Sequence, residues 1–164
     1  MEVTNDPQKI GRALGWIVSL LNRHQIPYQI VGGLAAKAYG ATRPLVDIDI
    51  YVPELEKMQA ALEEMKPYIK REPIPWKSDS WDLVYMALEY ENIWIEIGDV
   101  KTGPRFYNRR DGRWEAQVID FDKSVMMELY DVEVAVMPKD ELLAYKAMLE
   151  REVDHVDIGE LTKD

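Results

Sequence analysis

The feature that most constrains this chain is the run Val31-Gly32-Gly33-Leu34, followed by Asp47-Ile48-Asp49-Ile50. Tyr28 to Val31 reads as a short buried strand. The glycine pair turns it into a helix, Leu34 to Tyr39, that stops at Gly40. Asp47 to Val52 alternates with the period of a strand until Pro53 ends it. Residues i and i+2 of a strand share a face, so Asp47 and Asp49 project together while Ile48 and Ile50 enter the core. Carboxylates this close repel, and a divalent metal is the simplest reason for building the pair. Amides at a helix start attract phosphate, and carboxylate oxygens suit magnesium. Together the two features point to a site for a nucleoside triphosphate.

Either feature alone is weak. A second Asp-x-Asp, Asp120-Phe121-Asp122, lies beside a turn with no upstream glycine pair and reads as a loop feature. The first pair gains weight from Ile93-Trp94-Ile95-Glu96-Ile97, where Glu96 faces away from the isoleucines and offers a third acid as ligand or base.

The remaining elements follow from periodicity and punctuation. Asp6-Pro7 is an N-cap and N1 pair for a helix with Ile10, Leu14, Ile17 and Leu21 on one stripe, ending near Arg23-His24. Glu54 to Glu64 is an amphipathic helix closed by Pro67. Leu83 to Tyr90 and Ile93 to Gly98 form a hairpin turning at Glu91-Asn92. Val125 to Leu129 and Val132 to Val136 form another. Pro138 to Arg151 is a closing helix, continued by a second through Val153 to Leu161. This order predicts an α+β fold, a mixed β-sheet with helices packed mainly on one face plus C-terminal helices, and not a doubly wound sheet.

The chain has 164 residues, 47% of them apolar, which is enough to bury a core; residues 1–164 are expected to form one domain. With no cysteine, disulfides and thiolate metal sites are excluded. No signal-peptide pattern or membrane-length apolar run is present, so the expectation is a soluble cytoplasmic protein with no membrane partner. The net charge of -10 disfavours a nucleic-acid backbone as partner. Arg105, Arg109, Arg110 and Arg113 cluster in a Gly/Pro-containing segment, read as a solvated loop or as a mobile loop meeting phosphate.

The run Gly32-Gly33, a helix to Gly40, then Arg43-x-Leu45-x-Asp47-Ile48-Asp49-Ile50 resembles the signature of the DNA polymerase β-like nucleotidyltransferase superfamily. Pro138-x-Asp140-x-Leu142-x-Ala144-x-Lys146 and Arg151-x-x-Asp154-x-x-Asp157-Ile158 are similar to the closing helices of its small stand-alone and abortive-infection-type members. The resemblance covers roughly residues 28 to 160. It departs in three places: Leu45 and Gly33 stand where many active members have Ser or Thr, and the third acid is Glu96 in place of the more frequent Asp.

The resemblance implies transfer of a nucleoside monophosphate from an NTP such as ATP to a hydroxyl, with pyrophosphate leaving. Asp47, Asp49 and Glu96 would be the catalytic and metal-binding acids of a two-metal magnesium site. Gly32 and Gly33 would receive the phosphates. Arg43 and Lys146 are further candidates for nucleotide binding, against readings as an exposed loop arginine and a snorkelling lysine. Trp76, Trp81, Tyr85, Tyr90 and Trp94 offer either a stacking surface or ordinary packing. His24 and His155 receive no role, and Asp154 and Asp157 are expected to cap or pair at the surface. The acceptor, a small molecule or a protein hydroxyl, is not legible. A non-catalytic, antitoxin-like binding module keeping the same fold is the competing reading.

Overall fold

The computed structural model describes residues 3–163. Among them, strands Gln29–Val31 (β1), Asp47–Val52 (β2), Ile69–Lys77 (β3), Trp81–Tyr90 (β4), Ile93–Asp99 (β5), Arg105–Asn108 (β6), Arg113–Ala116 (β7), Val125–Leu129 (β8) and Val132–Val136 (β9) join one sheet. Helices Pro7–Arg23 (α1), Gly32–Ala38 (α2), Gln59–Met65 (α3), Lys139–Leu149 (α4) and Glu152–Leu161 (α5) accompany it. The sheet runs β7-β6-β4-β5-β2-β1-β9-β8, with β3 also paired to β4. It is mixed: β2 is parallel to β5 and β1 to β9, while β1 and β2 are antiparallel. The architecture is the α+β class expected.

Register fixes which side chains share a face. Asp47, Asp49 and Tyr51 lie opposite Trp94, Glu96 and Gly98 of β5; Glu96 and Gly98 in turn lie opposite Ala87 and Tyr85 of β4. The alternate residues Ile48, Ile50, Ile95, Ile97, Met86 and Leu88 are all buried on the other face. Burying each such side chain stabilises the fold by about 1.5–3 kcal/mol. Helix α1 packs against β5 and β9, and its Trp16 stacks on Tyr90 at 4.5 Å between ring centroids. Helix α4 lies over the polar-bearing face instead, where Tyr145 meets Trp81 and Phe106.

Several elements differ from the sequence expectation. Ile69–Lys77 is a strand despite Pro73 and Pro75; it joins only β4, through a register broken by irregularities, a setting that tolerates missing amide donors. The expected helix over Glu54 to Glu64 divides into a 3-10 turn, Leu55–Lys57, and α3. Leu55 N–H donates to buried Asp99 there, which anchors the turn. The arginine segment is no loop but the hairpin β6–β7; Arg109 donates to Leu149 O and Ser80 Oγ. The two closing helices are separated at Glu150, whose left-handed backbone (φ 53) breaks the helix. Among the described residues no helix is long and apolar enough to cross a membrane.

Gly98 shows how tightly the polar-bearing face is packed. A Cβ there would stand 2.6 Å from Tyr51 Cε1. Gly98→Ala is therefore expected to cost about 2 kcal/mol by overpacking, read by urea denaturation. Tyr51→Ala should remove most of that penalty in the double variant.

Candidate active site

Two neighbouring strands, β2 and β5, build the acid cluster, with the end of β1 beside them. In register, Asp49 lies between Val31 of β1 and Glu96 of β5, so the glycine turn after Val31 and the third acid flank it on either side. Asp47 follows on the same face, two residues toward the start of β2. One carboxylate oxygen from each of Asp47, Asp49 and Glu96 falls within 4.8 Å of the others, and each residue is partly buried. The decoy pair is elsewhere and local: Asp120 caps a 3-10 turn by accepting from Asp122 N–H.

Lost water holds all three acids above the ordinary carboxylate range, and neighbouring negative charge adds to the rise at Asp49 and Glu96. Burial is the largest influence on Asp49, followed by Asp47 and Glu96 beside it, and raises it furthest. Burial likewise leads at Asp47. Glu96 is pushed up to about 7, first by burial and then by Asp47; the Trp94 indole N–H, 3.2 Å from its Oε1, and nearby Arg71 oppose the rise. Such a set favours a proton or a cation over three free charges. Hard oxygen donors this close fit a divalent ion of the magnesium class.

The glycine turn is dictated by its neighbours. Gly32 has φ +65, and a Cβ there would lie 2.7 Å from Asp49 Oδ2. Both observations demand glycine. Its N–H donates to Tyr145 Oη at 3.0 Å, so this amide is engaged within the protein and ties the turn to α4. At Gly33 a Cβ would lie 2.9 Å from Arg43 Nη2, so a side chain there would require the arginine head to shift.

Arg43 is held in place by a bidentate pair with Asp157, at 2.7 and 2.9 Å. Asp157 also pairs with Lys146 Nζ at 3.0 Å, Lys146 with Asp154 at 3.1 Å, and Asp154 with Arg151 Nε at 2.7 Å. Lys146, Asp154 and Asp157 are each 0% exposed. Thus Asp154 and Asp157 do not pair at the surface as expected: they are the buried anions of a five-residue network with three cations. The i, i+3 spacing of Asp154 and Asp157 places both on one side of α5, facing α4. Lys146 is a lining residue whose ammonium already has two carboxylate partners. Glu160 adds to the tie by accepting from Thr42 N–H and Oγ1–H.

A cavity of about 530 Å³ joins these groups, with the acid triad, the glycine pair, Arg43, Lys146 and Arg151 in its lining. Of the aromatics proposed for stacking, Trp76, Trp81, Tyr85 and Trp94 line it, whereas Tyr90 packs on Trp16 on the opposite face. Sequence reasoning assigned no role to Arg151, Tyr145 or Arg71. Arg151 is close enough to both aspartates to lower them. Its spacing to Asp154 was the available signal; nothing in the sequence marks Tyr145 or Arg71.

Comparison with solved structures places the fold. A candidate nucleotidyltransferase from Thermotoga maritima matches with a TM-score of 0.66 at 22% identity over 85% of this chain and 84% of that one. The chain has the nucleotidyltransferase fold. The lincomycin-bound lincosamide antibiotic adenylyltransferase LnuA matches with a TM-score of 0.63 at 18% identity over 99% of each chain. The antibiotic-resistance factor ANT(2'')-Ia matches with a TM-score of 0.58 at 14% identity, over 94% of this chain and 82% of its own. No protein-family model matches the chain, and no curated protein sequence does.

Two measurements test the electrostatics. The folded protein holds the Glu96 proton more tightly than an unfolded chain, whose carboxyl titrates near 4.5. Metal-free stability from this group is therefore full below that pH and is lost as pH rises through about 7. The loss should be ~3 kcal/mol at most, and Glu96→Gln should flatten the pH dependence of thermal unfolding in EDTA. Separately, Lys146→Met leaves two buried carboxylates short of a cation and should cost about 3–5 kcal/mol, measured by denaturant unfolding at neutral pH.

Proposed function

We propose that this chain is a magnesium-dependent nucleotidyltransferase that moves a nucleoside monophosphate from an NTP to an acceptor hydroxyl. The observation that carries the reading is the convergence of Asp47, Asp49 and Glu96 within 4.8 Å, beside a glycine turn whose Gly32 cannot carry a side chain. The likeness to nucleotidyltransferase structures supports it.

In this reading Asp47 and Asp49 hold the metal, with Glu96 completing the oxygen set. When bound, magnesium neutralises triphosphate charge and strengthens the acceptor oxygen as a nucleophile. Arg43, fixed above Gly33, and Arg151, fixed by Asp154, position the phosphates from the β1 side of the triad. Lys146 acts at one remove, by keeping Asp154 and Asp157 in place for the two arginines. The acceptor oxygen bonds to the α-phosphorus while the bond from that phosphorus to the bridging oxygen of pyrophosphate breaks. Pyrophosphate departs with the electron pair, and the hydroxyl proton passes to a Glu96 oxygen. Most of the acceleration comes from positioning and charge neutralisation, as phosphoryl transfer generally requires.

ATP is the first donor to test, because one of the similar structures, LnuA, is an adenylyltransferase. Thermal shift with each NTP, with and without magnesium, should show stabilisation only when both are present, and Asp47→Asn/Asp49→Asn should abolish it. Once an acceptor is in hand, either single substitution should slow transfer by about 100-fold or more. No stabilisation by any NTP with magnesium would overturn the reading in favour of a non-catalytic module.

A further inference from the structure

The acceptor side of the cleft carries its own chemical signature. In sheet order the acid triad on β2 and β5 lies between two walls: the glycine turn after β1 on one side, and β4 with β3 on the other. The cations fixed by Asp154 and Asp157 belong with the first wall. The second wall presents Tyr85, opposite Gly98 in β5, and Trp76, opposite Leu83 in β4. Ile74 and Trp76 are each 43% exposed. Together they form an apolar shelf open to solvent, and its Trp76 lines the same cavity as Glu96.

Arg71 packs against the rings of that wall. Its guanidinium carbon lies 4.7 Å from the Trp76 ring centroid and 4.9 Å from that of Tyr85. Its Nε is buried and has no hydrogen-bond partner. A buried donor left unpaired is costly, and an anionic or neutral acceptor atom would satisfy it. The two rings already hold one cation, so a second on the same faces would meet its repulsion.

The cavity's acids lead to the same place. Among the described residues, Asp47, Asp49 and Glu96 are the only acidic residues in its lining, and all three are assigned to the metal. The charge of -10 therefore lies elsewhere on the molecule, and no carboxylate of the described lining remains for ammonium groups of an acceptor.

Resting on the transfer reading, we propose that the acceptor is a ring-bearing alcohol with an anionic substituent, and not a polycation. Its ring lies against Trp76 and Tyr85, its anionic group meets Arg71, and its hydroxyl reaches Glu96.

Three congeners isolate the charge: 4-(hydroxymethyl)benzoate, benzyl alcohol and 4-(aminomethyl)benzyl alcohol. Their binding to the full chain is measured by ligand-observed NMR with magnesium, with and without a non-hydrolysable ATP analogue, so no turnover is needed. The benzoate should bind at least about tenfold more tightly than the ammonium compound, a gap of ~1.4 kcal/mol, with benzyl alcohol between them. Arg71→Gln should erase this ranking, Arg71→Lys should restore part of it, and Trp76→Ala should weaken all three.

Tighter or equal binding of the ammonium compound would overturn the inference, as would no binding by any congener or a ranking that survives in Arg71→Gln. So would a Trp76→Ala protein that loses the ATP analogue but keeps the congeners, since the shelf would then hold the nucleobase. Failure of the transfer reading appears separately, as loss of nucleotide-dependent stabilisation while the congener ranking persists.

Discussion

The alignment of β1, β2 and β5 is the constraint on which the rest of this structure depends. Asp49 is flanked by Val31 and Glu96 only because β2 pairs antiparallel with one neighbour and parallel with the other at one fixed offset. A slip of one residue would turn the aspartates into the isoleucine core and bring Ile48 and Ile50 to the cleft. The slip is prevented by the same isoleucines, which are buried against the α1 side of the sheet. The hydrophobic pattern that folds the sheet is thus what aims its carboxylates.

Charge is organised in two contrasting ways around that frame. The triad gathers three acids away from water with no ion pair of their own, and burial above all raises the pKa of each. A short distance away, Arg43, Asp157, Lys146, Asp154 and Arg151 alternate in sign and are nearly neutralised among themselves. The first arrangement is unfavourable until a cation joins it. The second is complete within the folded protein and acts as a frame. Lys146 belongs to this frame, holding the two carboxylates that fix its neighbours Arg43 and Arg151 in the cavity lining.

The legible part of the fold was the part written in short-range patterns. Period-2 alternation located β2 and β5, the Asp6-Pro7 cap located the start of α1, and the glycine pair with Asp-x-Asp located the centre of the site. Ile69–Lys77 was hidden because its prolines argue against a strand, and only its position beside β4 alone makes them tolerable. The arginine segment looked like a loop because its pairing partner lies within it across a tight Asp111-Gly112 turn, with little apolar alternation to show it. Asp154 and Asp157 looked solvated because sequence does not reveal that Lys146 and two arginines reach them. Tyr145 and Arg71 carry no local signature at all; their roles exist only through contacts with distant residues.

The bond from Gly32 N–H to Tyr145 and the pair between Arg43 and Asp157 have a temporal consequence. Their partners are 113 and 114 residues apart in the chain. During synthesis from the N-terminus, β1, β2 and β5 can be complete while the turn beside them still lacks both fastenings. Loop closures of this span come late and slowly in folding. The nascent chain therefore carries its three acids well before it can hold the adjoining turn, and the pocket is complete only once α4 and α5 have been made.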